Sequence, residues 1–248
     1  MQQTFATPKD DKSNPYSTVN AAPKGQFCKP YSPQELSNGT MRLDMLKAQA
    51  GLTIVGLKFG REVEALWRQY LAGGSKKRID ISKSNYPGIY KSFAEAYVNN
   101  LFAEALINNI LVNLRTGSIP RKSGIFDLKG VISAEELQIF LEILRFPFNT
   151  GAAGNLAGNF TSGSDFGKDT RAVTGKVAIK FLTDQSVRVS LDLQVQVQDA
   201  VDLCPGQPGD RQEQYLTIPL SRLEKSGFAG DVAFGVTYPV KMTKLAKL

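Results

Sequence analysis

The chain has 248 residues, and its contents of 42% hydrophobic and 21% charged residues are typical of a globular protein with a core. Its 30 basic and 23 acidic residues give a net charge of +7. The basic residues are dispersed and no nucleic-acid-binding module is recognised, so we expect no nucleic-acid partner. The chain has no histidine, which excludes Ser-His-Asp and Cys-His catalysis and histidine metal sites.

Residues 1–38 are rich in Pro, Ser, Asn, Gln and Lys, and they are predicted to form a disordered tail or linker. Residues 1–17 contain no apolar stretch, which predicts that the protein has no secretory signal peptide. The sequence also lacks the run of about 18 apolar residues that predicts a membrane-spanning helix. Cys28 and Cys204 could pair in an oxidising compartment or stay free, and the sequence does not distinguish the two.

Residues 39–147 are predicted to form a helical domain. Residues 40–72 have helical periodicity, with a break expected near Gly51 and Gly56. A short strand is predicted for residues 79–81, where isoleucines alternate with an acid.

One long helix is predicted over residues 89–114 because its apolar residues recur at helical spacing. It is expected to be the central helix of the helical domain; the alternative is an apolar hairpin that contacts a membrane. Residues 114–131 are predicted to be a loop. Ser133 followed by Glu136 is a capping-box pattern, which predicts the start of another helix.

Residues 148–248 are predicted to form a β-rich domain. Glycines are frequent over residues 149–175, which predicts loops and turns. The predicted strands cover residues 175–181, 187–203 and 232–240, with a short helix at 219–225 and a frayed C-terminus. The fold class is therefore α+β, with a helical N-terminal half and an antiparallel β C-terminal half.

Residues 187–197 alternate apolar and polar side chains without interruption, which predicts a strand with one buried face. Asp199 follows in phase with the apolar row, and Asp202, Asp210 and Arg211 come next in the chain. Carboxylates at a strand end could hold Mg²⁺, and a nearby arginine could bind a phosphate. The alternative is a strand that ends at a solvated rim, where acids are common.

Two segments resemble the colicin M family. In one, residues 199–203 read DAVDL at the end of the long strand, and Asp210-Arg211 stands where the family has His-Arg. The other is LWRQYLAGGSKKRIDISKSNYPGI at residues 66–89, which is similar to the family's helix, glycine turn and basic strand. The order of tail, helical part and β-rich part is also similar.

The resemblance implies a partly barrel-like β domain and a toxin or effector that hydrolyses the phosphodiester of a lipid-linked peptidoglycan precursor, lipid II. It implies catalysis by Asp199, Asp202, Asp210 and Arg211, with Mg²⁺ at Asp199 and Asp202. The implied partners are the lipid-linked phosphate substrate, a membrane surface, and a delivery machinery or an immunity protein. Such a protein is made in the cytoplasm and delivered outside the producer, and it acts in the envelope of a target bacterium.

The chain departs from the family pattern at two positions. The family tyrosine is replaced by Val201 and the family histidine by Asp210, and the intervening loop is longer. Asp210 could replace the histidine in proton transfer if burial raised its pKa. The alternative is a catalytically inactive module that serves as a cargo, docking or membrane-contact element, in which Asp199 caps the backbone amides of residues 204–209.

Overall fold

The computed structural model describes residues 17–19, 31–157, 170–183, 185–201, 203 and 214–248. These residues form a mixed α+β fold, so the predicted fold class is confirmed. The N-terminal half is mainly helical, and the long strands of the sheet come from the C-terminal half.

The helices and strands follow one another in a mixed order. The helices are α1 (Asn38–Phe59), α2 (Arg61–Leu71), α3 (Pro87–Ala94), α4 (Tyr97–Thr116), α5 (Ala134–Leu141), α6 (Ala152–Ala157) and α7 (Gln214–Lys225). The strands are β1 (Ser17–Val19), β2 (Ile79–Ile81), β3 (Gly124–Asp127), β4 (Thr170–Thr183), β5 (Ser186–Val201) and β6 (Val232–Lys247). Among these helices, none has both the length and the hydropathy needed to cross a membrane.

The strands form one sheet in the order β1-β4-β5-β6-β2, and β3 also pairs with β4. The pairing is antiparallel except between β2 and β6. Because β1 and β2 lie at opposite ends of this order, the sheet in the described part of the chain is open. It is not closed into the partly barrel-like domain that the resemblance implies.

The central strand, β5, organises the sheet. It pairs along its whole length with β6, and from Ser186 to Gln198 with β4. The predicted apolar row, from Val187 to Val197, is buried throughout. Phe93 of α3 contacts the rings of Phe234 and Tyr238, so α3 covers the same face as this row. We call that face the inner face of the sheet.

The helical stretch 40–72 is interrupted at Gly60, not near Gly51 and Gly56 as the sequence predicts. Gly60 has a φ of +101°, which favours glycine, and it separates α1 from α2. Gly51 and Gly56 are inside α1, where helices approach closely. A Cβ atom at Gly51 would lie 2.6 Å from Leu216 of α7, and one at Gly56 would overlap Glu64 of α2. These glycines therefore permit close helix packing.

The single helix predicted over 89–114 is wrong, because the chain turns between α3 and α4. The side-chain Nδ2 of Asn99 donates hydrogen bonds to the backbone carbonyls of Phe93 and Ala94, at 2.7 Å and 3.1 Å. Carbonyls in the last turn of a helix have no partner within the helix. The asparagine side chain therefore stabilises the end of α3.

Further differences lie in segments predicted as loops or frayed ends. Strand β3 lies within residues 114–131 and α6 lies within 149–175, whereas residues 158–169 are outside the described part. The C-terminus is not frayed, because β6 pairs with β5 as far as Lys247. The capping box at Ser133 is confirmed, since its side chain accepts the backbone N–H of Glu136.

The division into domains at 39–147 and 148–248 stays a prediction. Strands β2 and β3 come from the first of these segments and pair with β6 and β4 of the second. Buried side chains of both segments also belong to one hydrophobic cluster. Apart from β1 and residues 31–38, the predicted tail lies outside the described residues.

Candidate functional site

Asp199 lies near the end of β5 on the inner face, as its phase in the sequence predicts. Its backbone pairs with Phe234 of β6, and its side chain is only 7% exposed. One carboxylate oxygen, Oδ1, accepts the backbone N–H of Ala200 at 2.8 Å. Burial of a carboxylate among apolar side chains is costly, so this position needs compensating polar groups.

Arg171 is a second buried charged residue of the inner face, on the strand next to Asp199. It pairs with Val197 across β4 and β5, so it is the diagonal neighbour of Asp199 on the inner face. Diagonal residues of antiparallel strands lie about 7–8 Å apart, within reach of a long side chain. Arg171 is only 4% exposed, and its Nε donates a hydrogen bond to the carbonyl of Leu144 at 2.7 Å.

Tyr238 of β6 is the third polar residue of this end of the inner face. It pairs with Val195 and is fully buried, and its hydroxyl donates to Oδ1 of Asn99 at 3.1 Å. Burial raises the pKa of the Tyr238 phenol far above its usual value, and the charge of Arg171 partly opposes this shift. The phenol therefore stays protonated at neutral pH. We call Arg171, Asp199, Tyr238 and Asn99 the inner-face polar cluster.

The chain leaving β5 is held by the helices. The backbone N–H of Leu203 donates to Oε2 of Glu224 on α7 at 2.9 Å. The hydroxyl of Tyr70 on α2 donates to the same oxygen at 2.7 Å. This carboxylate thus anchors the exit of β5 to both helices, immediately before the segment that carries Asp210 and Arg211 in the sequence.

Of the predicted site residues, the structure describes one. Asp199 is in the inner-face polar cluster, whereas Asp202, Asp210 and Arg211 lie outside the described residues. The same holds for Cys28 and Cys204. Val201, at the position of the family tyrosine, is fully buried.

Of the two predicted Mg²⁺ ligands, the structure describes Asp199 and not Asp202. Within the described ranges, no three His, Cys, Asp or Glu side chains come together as a potential metal site. Asp199 offers the carboxylate oxygens that Mg²⁺ prefers, and its predicted co-ligand, Asp202, is outside those ranges. Metal binding at Asp199 and Asp202 stays a prediction.

Sequence reasoning missed Arg171, although a signal was present. Arg171 is in phase with Val173 and Val177, both buried on the inner face, so it is a charge in an apolar row just as Asp199 is. The predicted strand began only at Gly175, which left Arg171 in a loop. Tyr238 was placed correctly in its strand, but periodicity does not reveal which hydroxyl finds a hydrogen-bond partner.

Comparison of the chain with protein-family models, curated proteins and solved structures finds no match. The resemblance to the colicin M family therefore rests on the two sequence segments, residues 66–89 and 187–211.

Proposed function

We propose that the protein hydrolyses a phosphodiester in a lipid-linked precursor of the bacterial cell wall, at the end of β5. The observation that carries this proposal is the burial of Asp199 on the inner face of the sheet, diagonal to the buried Arg171. A buried acid with a buried arginine as its diagonal neighbour supports a functional site, because active sites are places where burial and nearby charges tune the catalytic groups. The resemblance in residues 187–211 supports the same position.

The reaction needs an attacking water and a leaving lipid alcohol. Asp199 would accept the proton of the water as its oxygen bonds to phosphorus, and the bond from phosphorus to the lipid oxygen would break. The lipid oxygen would take up a proton from solvent water and leave as the alcohol, and Asp199 would return its proton to solvent. The positive charge of Arg171 would favour an anionic substrate nearby. Bound Mg²⁺ would neutralise phosphate charge at this site.

The proposed setting is competition between bacteria. The protein would be made in the cytoplasm, leave the producer through a delivery machinery and reach lipid II in the envelope of the target cell. A producer of such an enzyme would need an immunity protein.

A non-enzymatic module is the second candidate function. It is favoured by the hydrogen bond from Ala200 to Asp199 and by the diagonal position of Arg171, because both could serve folding alone. In this case the buried charges would stabilise the sheet end of a cargo or docking domain, and no substrate would react.

The first prediction separates the two functions by incubating the full chain with lipid II and Mg²⁺ and measuring the released undecaprenol. We expect release by the native protein and a loss of about 100-fold or more in Asp199→Asn, because a general base contributes about this much. Asp192→Asn is the matched control, since Asp192 lies on β5 but is exposed and paired with Lys241. It should retain full activity.

Circular dichroism and thermal unfolding of both variants complete this test. A folded Asp199→Asn protein without activity supports the enzyme. Full activity of that variant would contradict the role of Asp199. If the native protein releases no undecaprenol and Asp199→Asn unfolds, Asp199 is structural and the module is favoured.

A further inference from the structure

Helix α1 has two apolar faces, and only one of them is covered by the described protein. The covered face contains Met41, Ala48, Leu52 and Val55, and it packs mainly against α7 and α2. A helix at the surface of a globular protein usually presents polar residues on the opposite side. The opposite side of α1 does not follow this pattern.

The outward side of α1 carries a continuous apolar stripe. Leu43, Leu46, Ile54 and Leu57 are 53%, 65%, 66% and 85% exposed, and the exposed Ala50 lies between them. Their spacing of three, four, four and three residues keeps them on one side of the helix over about four turns. Large side chains that are each exposed by half or more are unusual as a contiguous patch on a monomer.

Charged residues at the borders of the stripe are all basic. Arg42, Lys47 and Lys58 are exposed, and by helical geometry Lys47 and Lys58 flank one side of the stripe and Arg42 the other. The acid of α1, Asp44, is buried and forms an ion pair with Arg222, so it does not offset this charge at the surface. An apolar face with basic borders fits the headgroup region of an anionic membrane, where apolar side chains insert and basic side chains are attracted to the lipid phosphates.

The apolar surface continues beyond α1. Phe228, which follows α7, is 53% exposed and lines an open groove of about 670 Å³ together with Met41, Met45 and Leu46 of α1. Aromatic and methionine side chains beside a groove of this size can accommodate parts of lipid chains.

We propose that the outward face of α1 binds the surface of a bilayer that contains anionic phospholipids. The leucine and isoleucine side chains insert at the level of the headgroups, and Arg42, Lys47 and Lys58 contact lipid phosphates. A second copy of the chain is a poorer occupant, because the same basic borders would face each other and repel. The inference fits a lipid-linked substrate, but it does not depend on hydrolysis or on Asp199.

The test is co-sedimentation of the full chain with vesicles of mixed phosphatidylglycerol and phosphatidylcholine, compared with vesicles of phosphatidylcholine alone. We expect binding to the anionic vesicles that weakens with added salt. Ile54→Asp should reduce the bound fraction by about tenfold or more, since a carboxylate in the stripe opposes insertion. Ile139→Asp is the matched control, because Ile139 is 70% exposed on α5, and it should bind like the native protein.

The basic borders are tested separately with Lys47→Glu against Lys91→Glu on α3, where only the first should weaken binding. Equal binding to both kinds of vesicle, or no binding, would overturn the proposal. A dimer in light scattering that Ile54→Asp converts to a monomer would assign the stripe to a second copy instead. Circular dichroism of each variant checks that the fold is kept, and release of undecaprenol is scored independently of vesicle binding.

Discussion

Asp44 is a buried acid that lies beside a residue of opposite charge. Asp44 of α1 is 1% exposed, and its Oδ2 lies 2.9 Å from Nε of Arg222 on α7, although the N–H is not aligned for a hydrogen bond. The guanidinium of Arg222 also lies over the ring of Tyr31, 5.9 Å from its centroid. Replacing only one residue of a buried ion pair usually destabilises a protein more than replacing both by apolar residues, because the remaining charge is buried without a partner.

Desolvation raises the pKa of Asp44 above its ordinary value, and the positive charges of Arg222 and Lys47 only partly oppose this. The folded state therefore binds the proton of Asp44 more tightly than the unfolded state does. The contribution of this group to stability is fully present below the unfolded pKa and is lost as the pH rises through the folded pKa.

The second prediction concerns this pH dependence, measured by denaturant unfolding from about pH 3 to about pH 7. Asp44→Asn has no carboxyl group to titrate. We expect the free energy of unfolding of the native protein, relative to that of Asp44→Asn, to fall as the pH rises. Asp192→Asn, an exposed substitution, should show no comparable trend. A relative stability that increases with pH would mean that the ion pair with Arg222 outweighs desolvation.

At the scale of elements, helix ends are stabilised by specific side chains. Ser133 and Glu136 form a reciprocal capping box at the start of α5. Glu136 also accepts a hydrogen bond from Asn109 of α4 at 3.1 Å, so the cap joins two helices. At the C-terminal end of α3, the side-chain amide of Asn99 donates to the carbonyl of Phe93, and its oxygen accepts the hydroxyl of Tyr238.

The third prediction is that Ser133→Ala lowers the free energy of unfolding by about 1 kcal/mol, because the N–H of Glu136 loses its capping acceptor. Chemical denaturation of the native protein and the variant measures the difference. Ser133→Thr keeps a hydroxyl at the cap and should lie closer to the native value. Equal losses for alanine and threonine would show that the hydroxyl is not the stabilising group.

At the scale of the whole molecule, helices and sheet share their core. The single tryptophan of the chain, Trp67, is buried in α2, and its Nε1 donates to Oδ1 of Asn155 on α6 at 2.9 Å. Helix α6 in turn contacts β5 and α3. Strands from the N-terminal half also extend the sheet at β6 and at β4.

The fourth prediction follows from this shared core. Unfolding monitored by Trp67 fluorescence, which reports on the helical half, should coincide with unfolding monitored by hydrogen exchange of the backbone amides of β5 and β6, which reports on the sheet. Trp67→Phe confirms the origin of the fluorescence signal. Two separate transitions would instead support independent domains divided between residues 147 and 148.

The sequence alone identified the features that depend on local periodicity and local chemistry. The alternation in β5, the phase of Asp199 with the apolar row, the capping box at Ser133 and the short strand β2 follow from the repeat of a strand or the cap of a helix, whereas the burial of Asp199 was one of two open alternatives. In each case the information lies within a few consecutive residues, so no distant partner is needed to read it.

Tertiary structure decided the features that depend on distant partners. In the sequence Gly51 and Gly56 predict helix breaks, and only the structure shows that α7 and α2 pack against them. Arg171 likewise becomes a candidate site residue only because the strand pairing places it diagonal to Asp199. The open sheet and the outward face of α1 likewise depend on which elements lie beside one another. Long-range packing is not encoded in any short segment, and for this reason the periodicity of α1 did not reveal which of its two apolar faces is covered.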